Sequence, residues 1–230
     1  MIKKIGIIGR GKTGSYVSQI CSEKKIPHLV FSRERKLCAN DIDSLCGIII
    51  FAPYSVFLEY EELLIGSKLP IVLGATGPEF DLKEKERLHL KLTESSIVYA
   101  ANFSILLNLL SPLFLGVPKL LAPIKNEVQL SLTETHQVHK LDAPSGTAHW
   151  WQKLLAPLHV VMTSVRIGEV VGEHQLKISL KSGAEEFTLS HSAKSRRLFA
   201  EGALYALEHY PNPIQKQGLI PFSEVLNEQN

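Results

Sequence analysis

The chain opens on a short apolar run, residues 5–8, that breaks at once into glycines, and similar runs recur at 28–31, 47–51, 70–73 and 96–99. Continuous apolar runs of this length, bounded by turn residues, read as strands buried on both faces. Residues 15–22, 54–64 and 81–92 lie between them with apolar positions at helical spacing. Strands alternating with helices predict a parallel, doubly wound sheet. Residues 36–45 leave little room for a helix and an extra strand.

Past residue 100 the pattern changes. Residues 105–121 are leucine-rich and read as one helix, whereas 126–133 alternate apolar and polar as a half-exposed strand does. Further strands are expected at 163–167, 174–180 and 185–189, the last two joined by a turn at Ser182-Gly183, before a helix at 195–209. Strands without helices between them predict an open, mixed sheet. The expected fold class is therefore α/β: a Rossmann-like doubly wound parallel sheet plus a second α+β domain.

Composition narrows the function. The formal charge of +2 over 230 residues argues against nucleic acid or a membrane surface as partner. No apolar run is expected to span a bilayer, and the N-terminus leads into a strand rather than a signal peptide. Cys21, Cys38 and Cys46 are odd in number and lack zinc-type spacing, so reduced thiols, no metal and a cytoplasmic location are expected.

After the first strand, Gly9, Arg10, Gly11, Lys12, Thr13 and Gly14 fit the G-x-G-x-x-G turn that lays a dinucleotide pyrophosphate on a helix N-terminus. The same stretch, begun at Gly6, also fits the phosphate loop of a nucleotide hydrolase. That register would leave Ile7 and Ile8 in a polar loop, so the dinucleotide register is preferred. At the end of the second strand an NAD-selective fold usually places an acid; here Ser32 and Arg33 stand, with Arg35 close by. A hydroxyl and a guanidinium suit the 2′-phosphate of NADPH, with NADH as the alternative.

The densest chemistry lies at 134–148, where Glu134, His136, Lys140 and Asp142 precede Pro144-Ser145-Gly146-Thr147-Ala148 and an apolar helix. An imidazole, a cation and free N–H groups at a helix N-terminus suit a small dicarboxylate that must be reduced or protonated. This segment resembles the signature E-x-H-x-x-x-K-x-D-x-P-S-G-T-A of the 4-hydroxy-tetrahydrodipicolinate reductase family at every fixed position. Gly74-Ala75-Thr76-Gly77 and Ala100-Ala101-Asn102-Phe103-Ser104 resemble the family's cofactor loops. The stretch from His191 to Ala203 resembles its Ser-Arg and Phe-Ala-x-Gly-Ala segment.

The resemblance implies hydride transfer from NAD(P)H to a cyclic imine dicarboxylate with loss of water, in diaminopimelate and lysine biosynthesis. It implies His136 as general acid and Lys140 as catalytic cation, with Gln137, Gly146, Thr147 and Arg196 binding substrate. Cofactor contacts would come from the glycine loop, Ser32, Arg33, Phe51, Gly74, Ala75, Thr76, Ala100, Ala101, Asn102 and Phe103. It further implies a nucleotide domain of 1–103 and 203–230, a substrate and oligomerisation domain of 104–202, and a homotetramer. Gln137 stands where many members carry a second histidine, and 50–53 read Ile-Phe-Ala-Pro where many have Asp-Phe-Thr. His139, His149, His159 and His174 read as structural, and Asp142 as a loop cap. A catalytically silent dinucleotide-binding regulator is the alternative from another class.

Overall fold

The computed structural model describes residues 3–74, 80–211 and 216–228, and these divide into two compact units. The first comprises 1–105 and 196–230, the second 106–195.

In the first unit six parallel strands order β10-β5-β4-β3-β1-β2. They are β1 (Lys4–Ile8), β2 (His28–Phe31), β3 (Leu45–Ile50), β4 (Ile71–Leu73), β5 (Ser96–Tyr99) and β10 (Gly218–Pro221), with β6 to β9 lying in the second unit. Because side chains alternate across a strand, each apolar run feeds two cores. Ile7, Ile49, Val72 and Val98 face α1 (Lys12–Glu23) and α8 (Arg197–Glu208); Ile8, Ile48, Ile50, Leu73 and Ile97 face α3 (Tyr54–Ser67) and α4 (Leu82–Lys91). A four-residue helix, α2 (Ala39–Ile42), fills the shortened link before β3, and α9 (Phe222–Asn227) closes the unit.

This register excludes the phosphate-loop reading. Gly6, Ile7 and Ile8 are ladder residues of β1, paired with β2 and β3, and the loop begins only at Gly9. The chain returns to the first unit at 195/196, earlier than the expected 203, because α8 as a whole packs against α1. Strand β10 had no clear sequence signal. It is short, starts at Gly218 with φ +92° and ends on Pro221, which only an edge strand tolerates.

The second unit holds a mixed sheet of order β7-β6-β8-β9. Strand β6 (Val128–His136) runs parallel to β7 (Val160–Arg166) and antiparallel to β8 (Gly172–Leu180), which pairs with β9 (Glu186–Ala193). Leu130, Leu132 and Leu176 pack beneath α7 (Gly146–Leu154), where Trp151 stacks on Phe114 with ring centroids 4.4 Å apart.

The expected single helix over 105–121 is two, α5 (Ile105–Leu110) and α6 (Pro112–Leu121), followed by a 3₁₀ turn at Ala122–Ile124. Pro112 has no N–H for a continuous ladder but suits a helix start. The expectation that no run could span a bilayer is corrected here. Ile105–Ile124, 20 residues at mean hydropathy 1.8, is long and apolar enough by length and composition. Its few polar positions, among them Asn108, Ser111 and Lys119, are too sparse to offset the leucines.

Candidate active site

The first unit builds its site from backbone. Gly9 turns the chain at φ +112°, where a Cβ would lie 2.3 Å from the Phe51 carbonyl oxygen. A Cβ on Gly14 would lie 2.1 Å from the Gly9 oxygen, so only glycine lets α1 start this close to the loop. Gly11 has no side-chain cap above the N-terminus of α1, and the space over its Cα is open. This is the cradle that a pyrophosphate needs. Beside it lies a cleft of about 310 Å³ reached by Gly9, Gly14, Ser15, Ser32 and Arg35.

Arg10 and Glu34 also line that cleft, joined by an ion pair of 2.9 Å. Arg35 reaches it from the end of β2, held by Asp41 at 3.3 Å and by the Phe31 ring. Arg33 is exposed one position beyond Ser32. Phe51, Gly74 and Phe103 converge at the carboxyl ends of β3, β4 and β5. Phe51 meets Phe103 edge-on at 5.9 Å, and a Cβ on Gly74 would strike the Phe51 ring. Ala100 is tied to Leu73 by its amide, and Asn102 accepts the amide of Ser104. Lys12 and Thr13 open α1, and Ala101 lies exposed in the loop after β5. Ala75 and Thr76 lie outside the described residues.

The second unit builds its site from charge. Period-two alternation puts Glu134 and His136 on the same buried face of β6 as Leu130 and Leu132. Register then sets two rows across the sheet. Glu134 sits opposite Ser164 on β7 and His174 on β8, which in turn sits opposite His191; His136 sits opposite Arg166. Glu134 is 1% exposed and His136 7%, with Nδ1 of the imidazole 2.6 Å from the Glu134 Oε2. Nε2 stands over Gly172, where a Cβ would come within 3.0 Å of it. The His174 ring meets that of His136 edge-on at 5.3 Å.

Burial raises the Glu134 carboxyl. Hydrogen bonds from Ser164, Arg166 and Ser145, with the facing His136, outweigh burial and hold it below the usual carboxylate range. Burial also lowers the His136 imidazole, helped by Lys140 and Arg166 and opposed by Glu134. His174 is pushed down to about 3, first by burial and then by His136 and His191, so it stays neutral at physiological pH. Its Nε2 lies 3.2 Å from Ser145 Oγ, and that hydroxyl accepts the Ala148 amide as the N-cap of α7.

Lys140 is half-buried and grips Asp142 through Nζ at 2.7 and 2.8 Å. Gln137 and Thr147 are buried, and Gly146 presents an exposed backbone at the first turn of α7. Arg196 belongs to the first unit, at the start of α8. Glu134, His136 and His174 offer ligand atoms within 4.8 Å of one another, a set a metal ion could use. The guanidinium of Arg166 lies 2.8 Å from Glu134 Oε1.

A buried imidazole backed by a carboxylate, beside a lysine and a capped helix N-terminus, has the chemistry to give a proton to an anion. Residues 111–226 match the model of dihydrodipicolinate reductase, C-terminus. The chain belongs to the dihydrodipicolinate reductase family.

Relatives agree with that membership. The 4-hydroxy-tetrahydrodipicolinate reductase of Magnetococcus marinus is 28% identical over 202 residues, covering 78% of this chain and 72% of the relative. That of Nitrosomonas eutropha is 29% identical over 221 residues, covering 79% of each. Among solved structures, the dipicolinate-bound dihydrodipicolinate reductase from Paenisporosarcina sp. TG-14 is 20% identical. It superposes with a TM-score of 0.64 over 96% of this chain and 98% of that one, a likeness of fold. The parallel sheet with its helices and the second mixed sheet are thus a dihydrodipicolinate reductase fold.

Two neighbours of Glu134 and His136 were not placed there by sequence: Arg166, which was not singled out, and His174, which was read as structural. Strand register alone brings Arg166 opposite His136 and His174 opposite Glu134, and neither segment marks that pairing.

Proposed function

We propose that the chain reduces 4-hydroxy-tetrahydrodipicolinate with NAD(P)H, releasing water and giving tetrahydrodipicolinate. The observation that carries this reading is the buried Glu134–His136 pair, set beside Lys140 and the Ser145-capped start of α7.

The glycine loop and the cleft at Ser32 fit a dinucleotide, since glycine at 9 and 14 lets the loop and α1 close up on one another while the space over Gly11 stays open. When bound, the nicotinamide supplies a hydride to an electron-poor ring carbon of the substrate. His136 then donates its Nε2 proton where negative charge collects, while the Glu134 carboxylate, 2.6 Å from Nδ1, stabilises the imidazolium before transfer. Lys140, paired with Asp142, stabilises charge or assists the departing hydroxyl. Gly146 and Thr147 bind a carboxylate through N–H groups at the positive end of α7 and the Thr hydroxyl, with Gln137 adding a polar contact; Arg196 is a substrate contact by family resemblance alone.

NADPH is the preferred cofactor in this reading. Ser32 and Arg35 line the cleft where a 2′-phosphate would sit, and Arg10 is the cation there that Glu34 holds. In this reading the second unit serves as the substrate and oligomerisation domain of a cytoplasmic homotetramer, and Val161, 55% exposed on the face of the sheet opposite Leu130 and Leu132, offers an apolar contact there. The Ile105–Ile124 run is a surface helix pair rather than a membrane span, because Leu107 and Phe114 pack into the core around Trp151.

The test follows NADPH or NADH absorbance while substrate is generated from pyruvate and aspartate semialdehyde. Turnover favouring NADPH is expected. Tight cofactor binding without consumption would leave the silent regulator as the better account.

A further inference from the structure

One guanidinium in the second unit joins the carboxylate behind the imidazole to the backbone of the loop that carries Lys140. Arg166 Nη2 donates to Glu134 Oε1 at 2.8 Å, and Nε donates to the Lys140 carbonyl at 3.2 Å. Nη2 also donates to the Asp142 carbonyl at 2.5 Å, and Nη1 to the Val165 carbonyl at 2.8 Å. Glu134 is the group that faces His136, and the 140–142 loop carries the catalytic lysine and its carboxylate partner. The planar fork of an arginine serves a carboxylate and three carbonyls from three separate nitrogens held in one plane; an ammonium offers three donors from a single freely rotating point.

Resting on the reductase reading above, we propose that Arg166 is a positioning residue that locks the proton donor and the catalytic lysine into one geometry. Through Glu134 it fixes the imidazole with Nδ1 inward and Nε2 toward Gly172. Through the carbonyls of Lys140 and Asp142 it fixes where the lysine begins. The remaining neighbours of His136 cannot do this. His174 on β8 touches it only ring to ring and is committed to Ser145, with His191 behind it on β9. Lys140 shares the cation's sign and is itself held by Asp142.

The assignment predicts two separable effects. Removing the charge at 166 takes a cation away from His136 while Glu134, Lys140 and His174 stay, so the imidazole titrates at higher pH. Removing the fork while keeping the charge leaves that midpoint nearly in place but frees the 140–142 loop. Misplacement of a catalytic group by about 1 Å costs on the order of a hundredfold in rate.

The experiment uses the full chain labelled with ¹⁵N-histidine, the His136 signal being assigned by its loss in His136→Gln. NMR gives its tautomer and midpoint without any turnover, and steady-state assays give kcat, KM and NADPH affinity. Arg166→Gln is expected to raise the His136 midpoint and lower kcat about tenfold to a hundredfold, with NADPH affinity within about twofold of wild type. Arg166→Lys is expected to leave the midpoint near wild type yet lose a similar share of kcat. A folded Arg166→Lys protein with wild-type kcat would overturn the proposal, as would an unmoved midpoint in Arg166→Gln. Should wild type show no turnover while the His136 midpoint moves in Arg166→Gln, the reductase reading falls and the coupling of Arg166 to His136 stands.

Discussion

The glycine loop of the first unit and the Glu134 cluster of the second solve different problems with opposite materials. At Gly9, Gly11 and Gly14 side chains are absent so that backbone amides can reach a ligand, and the charged residues beside them, Arg10 and Glu34, are 64% and 80% exposed. Around Glu134 the side chains are the site, and Glu134, His136, Ser145 and His174 are all under 9% exposed. The loop must fit a shape. The cluster must hold a proton at one atom, which requires charges that water cannot screen and partners that cannot turn away. Substitution should therefore damage binding in one unit and chemistry in the other.

The largest separation is expected from His136→Gln. Losing a general acid costs on the order of a hundredfold to ten-thousandfold in kcat, whereas NADPH affinity should stay within about twofold of wild type. Gly14→Ala should show the converse. Its Cβ cannot fit 2.1 Å from the Gly9 oxygen, so the loop must shift. Overpacking of about 1–3 kcal/mol corresponds to roughly a tenfold to hundredfold weaker NADPH Kd. The two variants separate the halves only if each leaves the other's readout intact.

A smaller effect sharpens the second half. Gly172→Ala puts a methyl within 3.0 Å of His136 Nε2 and should tilt the ring, lowering kcat by about tenfold with NADPH binding unchanged. Unaltered kcat would mean that Nε2 is not the working atom.

A separate effect, outside both binding and rate, is on stability. With His174 held at about 3 and an ordinary imidazole at about 6.5, the unfolded chain takes up a proton over that window that the folded chain refuses. Stability therefore falls on acidification below about pH 6.5, by up to about 1.4 kcal/mol per pH unit from this residue. His136 and His191, both lowered chiefly by burial, act in the same direction. Denaturant unfolding of His174→Gln between pH 7 and 4 should show a shallower loss than wild type. Equal slopes would place His174 outside the linkage.

The same contrast explains what could be read along the chain. A glycine loop is a local object: its strand, turn and helix are contiguous, and the steric reasons for each glycine belong to neighbours within a few residues or to the next strand. Its register was therefore legible, and so was the cofactor class. Period-two alternation likewise delivered Glu134 and His136 to one face. Arg166 and His174 were not legible as parts of the site, because strand pairing alone brings them to Glu134, and register between distant strands leaves no mark in either segment. Nor was it visible that Arg35, held by Asp41 and the Phe31 ring, would reach the cleft while Arg33 stood exposed. The break at Pro112 was misread for a different reason. Leucine periodicity runs through it unbroken, and the missing N–H of one proline decides the geometry.

The most direct test crosses the two readouts in one set of proteins: single-turnover reduction rate and NADPH Kd for wild type, His136→Gln and Gly14→Ala. The account predicts a fast wild type, a His136→Gln protein slowed at least a hundredfold at unchanged Kd, and a Gly14→Ala protein with weakened Kd whose rate recovers at saturating NADPH. A His136→Gln protein that reduces substrate at the wild-type rate would contradict the central claim, that the buried Glu134–His136 pair is the proton donor of this reductase.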